Sequence, residues 1–200
     1  MEAAFALFEL AGFAGFALAI YLASKKEGLW NVVAFMLPAV LWSWVVEFTN
    51  QALMHGYRYG GGFLLYLPEM PLCIALAWSV LIYCGYRFST RILKLENKFK
   101  IAVSAAVSLV MIDFLFFEPL AKAFGFWAWT PEGVWFGAPS GNFVGWFMMA
   151  FLYALSWGFI SERTKDAKRR FIWALAFVPL NFAIGLLVLG LWTGLFGIRS

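Results

Sequence analysis

The chain has 200 residues, of which 64% are hydrophobic and only 13% are charged, and its formal net charge is +4. A mean hydropathy of +0.81 is typical of a membrane protein and excludes a soluble domain of any size. The basic residues lie in short segments between apolar runs and have no stacking motif around them, so nucleic-acid binding is not expected.

Six apolar stretches have about the 20 residues that a helix needs to cross a bilayer. We therefore expect an all-α polytopic bundle forming a single domain, residues 1–200, with seven spans instead of six if the region Trp127–Trp135 re-enters the membrane. The start, Met1–Ala3, lacks the basic segment of a secretory signal, so the first stretch is expected to be a retained helix. The stretches are Ala3–Ala23, Leu29–Leu53, Phe63–Phe88, Ile101–Phe124, Phe143–Ile160 and Phe171–Phe196.

The basic residues predict the orientation in the cell membrane. Twelve of the fifteen Lys and Arg residues fall in the loops after the first, third and fifth spans. Basic loops stay in the cytoplasm, so both termini are predicted to lie outside. The other three basic residues, on the opposite side, are Arg58, Lys122 and Arg199.

Five carboxyl groups interrupt the apolar spans, and the predicted orientation collects them in the outer half of the membrane. An acid in hydrocarbon is costly and is a functional-site hypothesis by default. No intramembrane Lys or Arg can pair with them, and an unpaired acid in a low-dielectric site tends to keep its proton. We therefore expect one shared polar cavity formed by Glu9, Glu47, Glu69, Asp113 and Glu118.

The second span and the segment after it contribute polar groups to this cavity. Spacings of three and four residues place Ser43, Glu47, Asn50, Gln51 and His55 on one helix face. Asn50 and Gln51 can equally serve as interhelical hydrogen-bond partners, and His55 can simply be solvated at the membrane edge. The segment 55–62, with two tyrosines and three consecutive glycines, predicts an amphipathic lid, or alternatively an interfacial aromatic belt.

Two proline-containing segments predict irregular helix ends. Pro68 and Pro71 flank Glu69, which predicts a partly unwound start of the third span or an ordinary helix cap. Pro119 follows Glu118, so the fourth helix is predicted to kink or end there. Asp113 and Glu118 are five residues apart, about 140° around an α-helix, and can share a wall only if that helix is distorted.

The tryptophans after the fourth span have two interpretations. Trp127, Trp129 and Trp135 fit an interfacial belt, whereas Trp146 is expected to lie deeper. Indole and phenol faces also stabilise cations, which matters if a reaction passes through a carbocation.

Several common catalytic motifs are absent from the sequence. It has no aspartate pair spaced to hold magnesium on a diphosphate, no glycine-rich phosphate loop, and a single histidine, which cannot build a di-iron site. We expect no metal and no cofactor. Protonation of an alkene is the simplest use of neutral carboxyl groups in an apolar cavity.

About half of the chain, chiefly residues 47–59, 68–83 and 113–146, resembles a family of membrane carotenoid biosynthesis proteins. That family contains bisanhydrobacterioruberin hydratase and the bacterial carotenoid 1,2-hydratases. The last of the three segments is the most specific. The resemblance rests on Asp113, Glu118-Pro119, Trp127-x-Trp129, Gly137-x-Pro139, Asn142-Phe143-x-Gly145-Trp146 and Pro71-x-x-x-Ala75-x-Ala77-Trp78.

The resemblance implies an integral membrane hydratase, a hydro-lyase that protonates a terminal isoprenoid double bond and adds water to the tertiary cation. It implies a carotenoid or other isoprenoid substrate in membrane lipid, with Asp113 as the proton donor. Glu47, Glu69 and Glu118 would hold that proton or activate water, and Asn142 would orient a carboxyl group or the water. Further candidates for substrate binding are Trp78, Trp146, Phe117, Phe143, Tyr57, Tyr59 and His55.

Three alternatives remain open from the sequence. A membrane carotenoid or terpene cyclase would use the same protonation, with an internal alkene capturing the cation. A small proton-coupled transporter would use the acids as a relay, although no inverted repeat is evident. A binding or assembly protein would use Gly12 and Gly15 of the first span for helix contacts.

Overall fold

The protein is described by a computed structural model covering residues 2–130 and 132–196. Six helical segments of this part are long and apolar enough to cross a membrane, which confirms the predicted all-α polytopic bundle with six spans. The helices are α1 Glu2–Glu27, α2 Leu29–Phe48, α3 Leu72–Arg87, α4 Lys98–Ile112, α5 Glu118–Phe124, α6 Ser140–Arg163 and α7 Ala167–Phe196.

Three turns of π-helix extend or join these helices, with i→i+5 hydrogen bonds in place of i→i+4. Thr49–Met54 continues α2, and Phe88–Ile92 continues α3. Asp113–Phe117 joins α4 to α5, so that Lys98–Phe124 forms one continuous span.

The bundle is built around α2, α3 and α6. Helix α6 packs on α4 and α7, α3 packs on α1, α2 and α4, and α2 also packs on α7. Small residues allow the closest approaches: a Cβ at Gly85 of α3 would lie 2.9 Å from the carbonyl oxygen of Ala105 in α4, and one at Gly12 of α1 would lie 2.9 Å from Cβ of Cys73. Much of α1 and α7 is exposed, as expected of helices facing lipid.

The third span begins later than predicted, at Leu72 and not at Phe63. The residues before it form a hairpin of β2 (Tyr66–Leu67) and β3 (Met70–Pro71). Pro71 adopts an extended conformation immediately before the helix. Pro68 and Pro71 lack the N–H groups that a helix interior needs, which explains why the helix does not extend back to Phe63.

The fourth span does not end at Glu118 but continues to Phe124. Its helix changes type at Asp113 and returns to α-helix at Glu118, whose φ of −64° and ψ of −44° are helical. Pro119 falls in the first turn of α5, where a missing N–H is tolerated. The expected distortion therefore lies in the five residues before the proline.

A two-stranded ribbon covers the end of the bundle at which α2 and α5 finish. β1 (Tyr57–Tyr59) pairs antiparallel with β4 (Trp127–Trp129), with Tyr57 opposite Trp129 and Tyr59 opposite Trp127. Alternation along a strand places these four aromatic side chains on one face, while Arg58 and Ala128, on the other face, are exposed. The predicted lid is thus half of this ribbon, and the region from Trp127 supplies the other half; it adds no seventh membrane span to the six found among the described residues.

Candidate active site

Three of the five acids in the spans line a single cavity beneath the ribbon. Glu47, Asp113 and Glu118 are buried, each with 1% or less of its surface exposed. They come from the last turn of α2, the π-helical turn and the first residue of α5. The other lining residues are nearly all aromatic: Tyr57, Tyr59, Ile74, Trp78, Trp127, Trp129 and Trp146.

The π-helical turn explains how Asp113 and Glu118 come together. In such a turn a residue lies roughly above the one five positions earlier, whereas an α-helix would turn the two side chains about 140° apart. Asn142 on α6 bridges them, because its Nδ2 donates to Glu118 Oε1 at 2.9 Å and lies 3.4 Å from Asp113 Oδ2. The indole N–H of Trp135 donates to the carbonyl of Phe114 within the turn, at 2.8 Å.

Glu118 is surrounded by donors. Besides the Asn142 amide, the indole N–H groups of Trp127 and Trp129 donate to its Oε2, at 3.2 Å and 2.9 Å. A carboxylate is an acceptor only, so three donors suit this group in its ionised form. Glu118 therefore connects the ribbon, α5 and α6 through one side chain.

Asp113 and Glu47 each keep one oxygen without a hydrogen-bond partner in the described structure. Glu47 Oε1 accepts from the indole N–H of Trp78 at 2.9 Å, but Glu47 Oε2 and Asp113 Oδ1 are unpaired, as is the indole N–H of Trp146. Buried polar atoms rarely lack a hydrogen-bond partner, since each unsatisfied atom destabilises the folded protein by about 1–3 kcal/mol. Three such atoms on residues of one cavity indicate a place for a polar ligand atom or a water.

The cavity is small and aromatic. Its volume is about 10 Å³, which is room for about one water molecule. The ring of Trp78 lies 4.6 Å from that of Trp146 and 5.8 Å from that of Phe117, and Tyr57 lies 4.4 Å from Trp129. Such faces can surround a cationic centre.

Tyr59 supplies a neutral hydroxyl to the cavity. Its oxygen lies 3.3 Å from that of Tyr57. Burial, reinforced by the neighbouring Glu47 carboxyl group, raises the pKa of Tyr59 well above its ordinary value. The Tyr59 hydroxyl therefore keeps its proton near neutral pH and can act as a donor.

A comparison with known families identifies the family of this chain: a family model described as carotenoid biosynthesis protein matches residues 5–197. The chain belongs to the carotenoid biosynthesis protein family. This confirms the resemblance, gives the protein a membrane-bound role in carotenoid biosynthesis, and indicates a biosynthetic enzyme. Searches of the curated proteins and of the solved structures found no match.

Two acids of this carotenoid biosynthesis protein lie outside the cavity. Glu69 is exposed at the tip of the β2–β3 hairpin with a positive φ of 65°. Glu9 is buried, and its two carboxylate oxygens accept hydrogen bonds from the backbone N–H groups of Leu64 and Leu65 at 3.0 and 3.1 Å. Glu9 thus attaches α1 to the segment before α3. Neither acid is positioned to act with the other three.

Three of the predicted substrate-binding residues do not line the cavity directly. His55 is exposed and has a left-handed backbone, with a φ of 52°. Phe143 packs against Phe114, at 5.3 Å between ring centres, and Phe117 reaches the cavity wall only through Trp78. The structure does bring together Asn142, Trp78, Trp146, Tyr57 and Tyr59 around the acids.

Of the three tryptophans assigned to an interfacial belt, Trp127 and Trp129 are instead buried above Glu118, and Trp135 is half-buried. The alternation of Trp127 and Trp129 in the sequence could have predicted this burial, because Trp-x-Trp matches Tyr57-x-Tyr59 and is typical of strands with one buried face. Within the described residues no group of three His, Cys, Asp or Glu side chains is arranged to hold a metal ion.

Proposed function

We propose that this protein is a membrane hydratase that protonates a terminal isoprenoid double bond of a carotenoid precursor and adds water to the resulting cation. The observation that carries the proposal is the pair of buried, unpartnered carboxyl oxygens, Asp113 Oδ1 and Glu47 Oε2, within one aromatic cavity. Family membership supplies the carotenoid context. The cavity residues supply the chemistry.

Asp113 is assigned as the proton donor. Its side chain is fully buried, its Oδ2 faces the Asn142 amide, and its Oδ1 is free to carry a proton. Proton transfer from Oδ1 to the CH carbon of the trisubstituted terminal double bond forms a C–H bond and leaves a tertiary carbocation on the carbon that carries the two methyl groups. Glu118, engaged by three donors, is assigned to hold Asn142 and the ribbon in position.

The cation would be stabilised by the faces of Trp78, Trp146 and Trp129. An indole face attracts a positive charge, and it does so more strongly where water is excluded. The same rings provide an apolar surface that fits an isoprenoid end group.

Glu47 is assigned to water capture. A water held by Glu47 Oε2 attacks the cation, forms the C–O bond and gives its proton to the Glu47 carboxylate. Return of that proton from Glu47 to Asp113 restores the site. The sum is alkene plus water giving a tertiary alcohol, with no net change in the protons or electrons of the protein.

The cavity has room for about one water, which is the second reactant that hydration needs. A carotenoid cyclase would instead use a double bond of the same isoprenoid end group to capture the cation. The end group itself would enter by displacement of the ribbon that closes the cavity.

The reaction can be tested with purified protein in detergent, an acyclic carotenoid and buffer prepared in water labelled with heavy oxygen, with a chelator present. The expected product is an alcohol that carries the label in its hydroxyl group. Label taken from molecular oxygen instead would contradict hydration, and a ring-containing product of unchanged mass would favour the cyclase. The control is Glu47→Gln, which is expected to give no labelled product.

A further inference from the structure

A second cavity lies at the opposite end of the helices. It has a volume of about 380 Å³ and is lined by the last turns of α1, α3 and α6 and the first turns of α2 and α7. Asn31 of α2 lines it, and Glu47 of the same helix belongs to the acid site; sixteen residues of helix separate the two ends by about 24 Å. This cavity has no part in the proposed reaction.

The cavity has an excess of positive charge. Three guanidinium groups, those of Arg87, Arg91 and Arg170, face a single carboxylate, that of Glu27. Glu27 is already engaged, because Arg87 pairs with it at 2.6 Å and the hydroxyl of Tyr83 donates to it at 2.8 Å. Two of the three cations therefore have no carboxylate partner among the described residues.

Neutral groups fix Arg170 in place. Its guanidinium donates to the carbonyl of Thr164 at 2.8 Å and to Oδ1 of Asn31 at 3.1 Å, and it lies 6.0 Å from the ring centre of Trp157. These contacts orient the guanidinium group of Arg170 without neutralising its charge. Arg91, which is exposed, lies on the π-helical turn after α3 and can adjust to a ligand.

The surroundings of the cavity are apolar and exposed. Trp30, adjacent to Asn31, is 72% exposed, and Ile92, adjacent to Arg91, is 67% exposed; Ile172 and Trp173, just after Arg170, are also exposed. Large apolar side chains beside a cationic pocket at a helix end suit a ligand with a charged head and a hydrocarbon tail.

We propose that this cavity binds the phosphate group of an anionic phospholipid. Guanidinium groups match phosphate oxygens by paired hydrogen bonds, and the excess positive charge favours a lipid with net negative charge over a zwitterionic one. The acyl chains would lie along the exposed residues beside Asn31, Arg91 and Arg170. Bound in this way, one lipid would connect α2, α3 and α7.

The test is native mass spectrometry of the full chain released from detergent after titration with phosphatidylglycerol or with phosphatidylcholine of the same acyl chains. Phosphatidylglycerol is expected to be retained at least about tenfold better. Arg91→Gln should reduce its retention at least about fivefold, because it removes charge-assisted hydrogen bonds. Arg91→Lys keeps the charge but not the planar guanidinium group, so its retention of phosphatidylglycerol should lie between that of the unmodified protein and that of Arg91→Gln.

The matched control is Arg169→Gln, which removes an exposed arginine at the same end of the bundle that does not line the cavity. It should bind phosphatidylglycerol like the unmodified protein. Equal retention of the two lipids, or an equal loss in Arg169→Gln and Arg91→Gln, would overturn the proposal. Displacement of bound phosphatidylglycerol by millimolar inorganic phosphate would also overturn it, since it would make the site one for free anions. None of these results bears on hydration at the acid cavity.

Discussion

Asn142 is the residue on which the geometry of the acid pair depends. A single amide nitrogen faces Asp113 Oδ2 and Glu118 Oε1, so it keeps apart two carboxyl groups that would repel each other if both were ionised. The shorter contact is to Glu118, which two indoles also engage. Asp113, the more weakly held of the two, is therefore the proposed proton donor.

Replacing Asp113 by Asn tests this assignment most directly. The amide keeps the shape of the side chain and removes the acidic proton, so we expect activity to fall at least about a hundredfold, with the protein still folded and inserted. Product formation from an acyclic carotenoid is the measurement. Asp166→Asn, at an exposed position where Asn can still cap a helix, is the control. Substantial activity in Asp113→Asn would move the donor role to Glu47.

Replacing Trp129 by Phe tests the support of Glu118. The ring that packs on Tyr57 is kept, but the 2.9 Å hydrogen bond to Glu118 is lost. Loss of a hydrogen bond to a charged group costs about 1.5–3 kcal/mol, so both the thermal midpoint and the rate should fall. Trp30→Phe, at a side chain 72% exposed, should change neither. An unchanged midpoint in Trp129→Phe would show that this bond contributes little.

Candidate acids could be predicted from their positions within apolar spans, because a carboxyl group in hydrocarbon is costly and usually has a function. Glu47, Asp113 and Glu118 were identified in this way. Glu69 is included in the prediction because its segment has the composition of a span. It is exposed because this segment, which contains Pro68 and Pro71, forms the β2–β3 hairpin. Glu9 is buried but satisfied by two backbone N–H groups 55 and 56 residues away, a partner set that local sequence cannot reveal.

At the scale of elements, the π-helical turn Asp113–Phe117 sets the relation between two acids. Deletion of Leu115, which is half exposed, should return this segment to α-helix, because a π-helical turn holds one residue more than the corresponding α-helical turn. Glu118 would then lie four residues after Asp113, about 40° around the helix, so the two acids stay on one face. We therefore expect the deletion variant to remain inserted and to keep activity, measured as product formation. Leu115→Ala, which removes the same side chain without shortening the turn, is the control. Loss of activity in the deletion variant alone would show that the π-helical geometry itself is required.

The ribbon offers a second test, because Arg58 and Ala128 are paired across it on its exposed face. Cα atoms opposite each other in an antiparallel pair are about 4.5–5.5 Å apart, within the range for a disulfide. With Cys84, the exposed native cysteine, changed to Ser, Arg58→Cys with Ala128→Cys should form a disulfide that prevents β1 and β4 from separating. Activity should fall on oxidation and recover on reduction.

Each single cysteine variant should be insensitive to oxidation, which makes these variants the controls for the ribbon. If the oxidised double variant turns over at the rate of the reduced one, the substrate does not enter by separating β1 from β4, and a lateral path between helices from the lipid becomes the alternative to examine.

The ribbon also marks the limit of sequence analysis for this fold. Helical spans are predictable because 20 apolar residues have few other structures available in a membrane. β1 and β4 have three residues each and lie about 70 positions apart, so no local pattern specifies that they pair. Their tryptophans and tyrosines are also typical of interfacial belts, and only the partners settle which role they have.

For the whole molecule, the positive-inside pattern predicts that the arginine-rich end faces the cytoplasm and the ribbon faces outward. In a background lacking Cys73 and Cys84, a cysteine at Arg58 should react with a membrane-impermeant reagent added to intact cells. A cysteine at Lys165, which is exposed in the loop between α6 and α7, should react only after the membrane is opened. The reverse pattern would invert the orientation without changing the fold.

The two cavities are separated by a packed layer that includes Phe35, Met36, Ala39 and Trp42, all nearly inaccessible. In the same region the hydroxyls of Ser43 and Ser79 are bonded to backbone carbonyls of α3. A proton leaving Asp113 would therefore return from the same side of the membrane. Turnover should then move no charge across the bilayer, so that liposomes containing the protein carry no current and the reaction proceeds at the same rate whatever the membrane voltage.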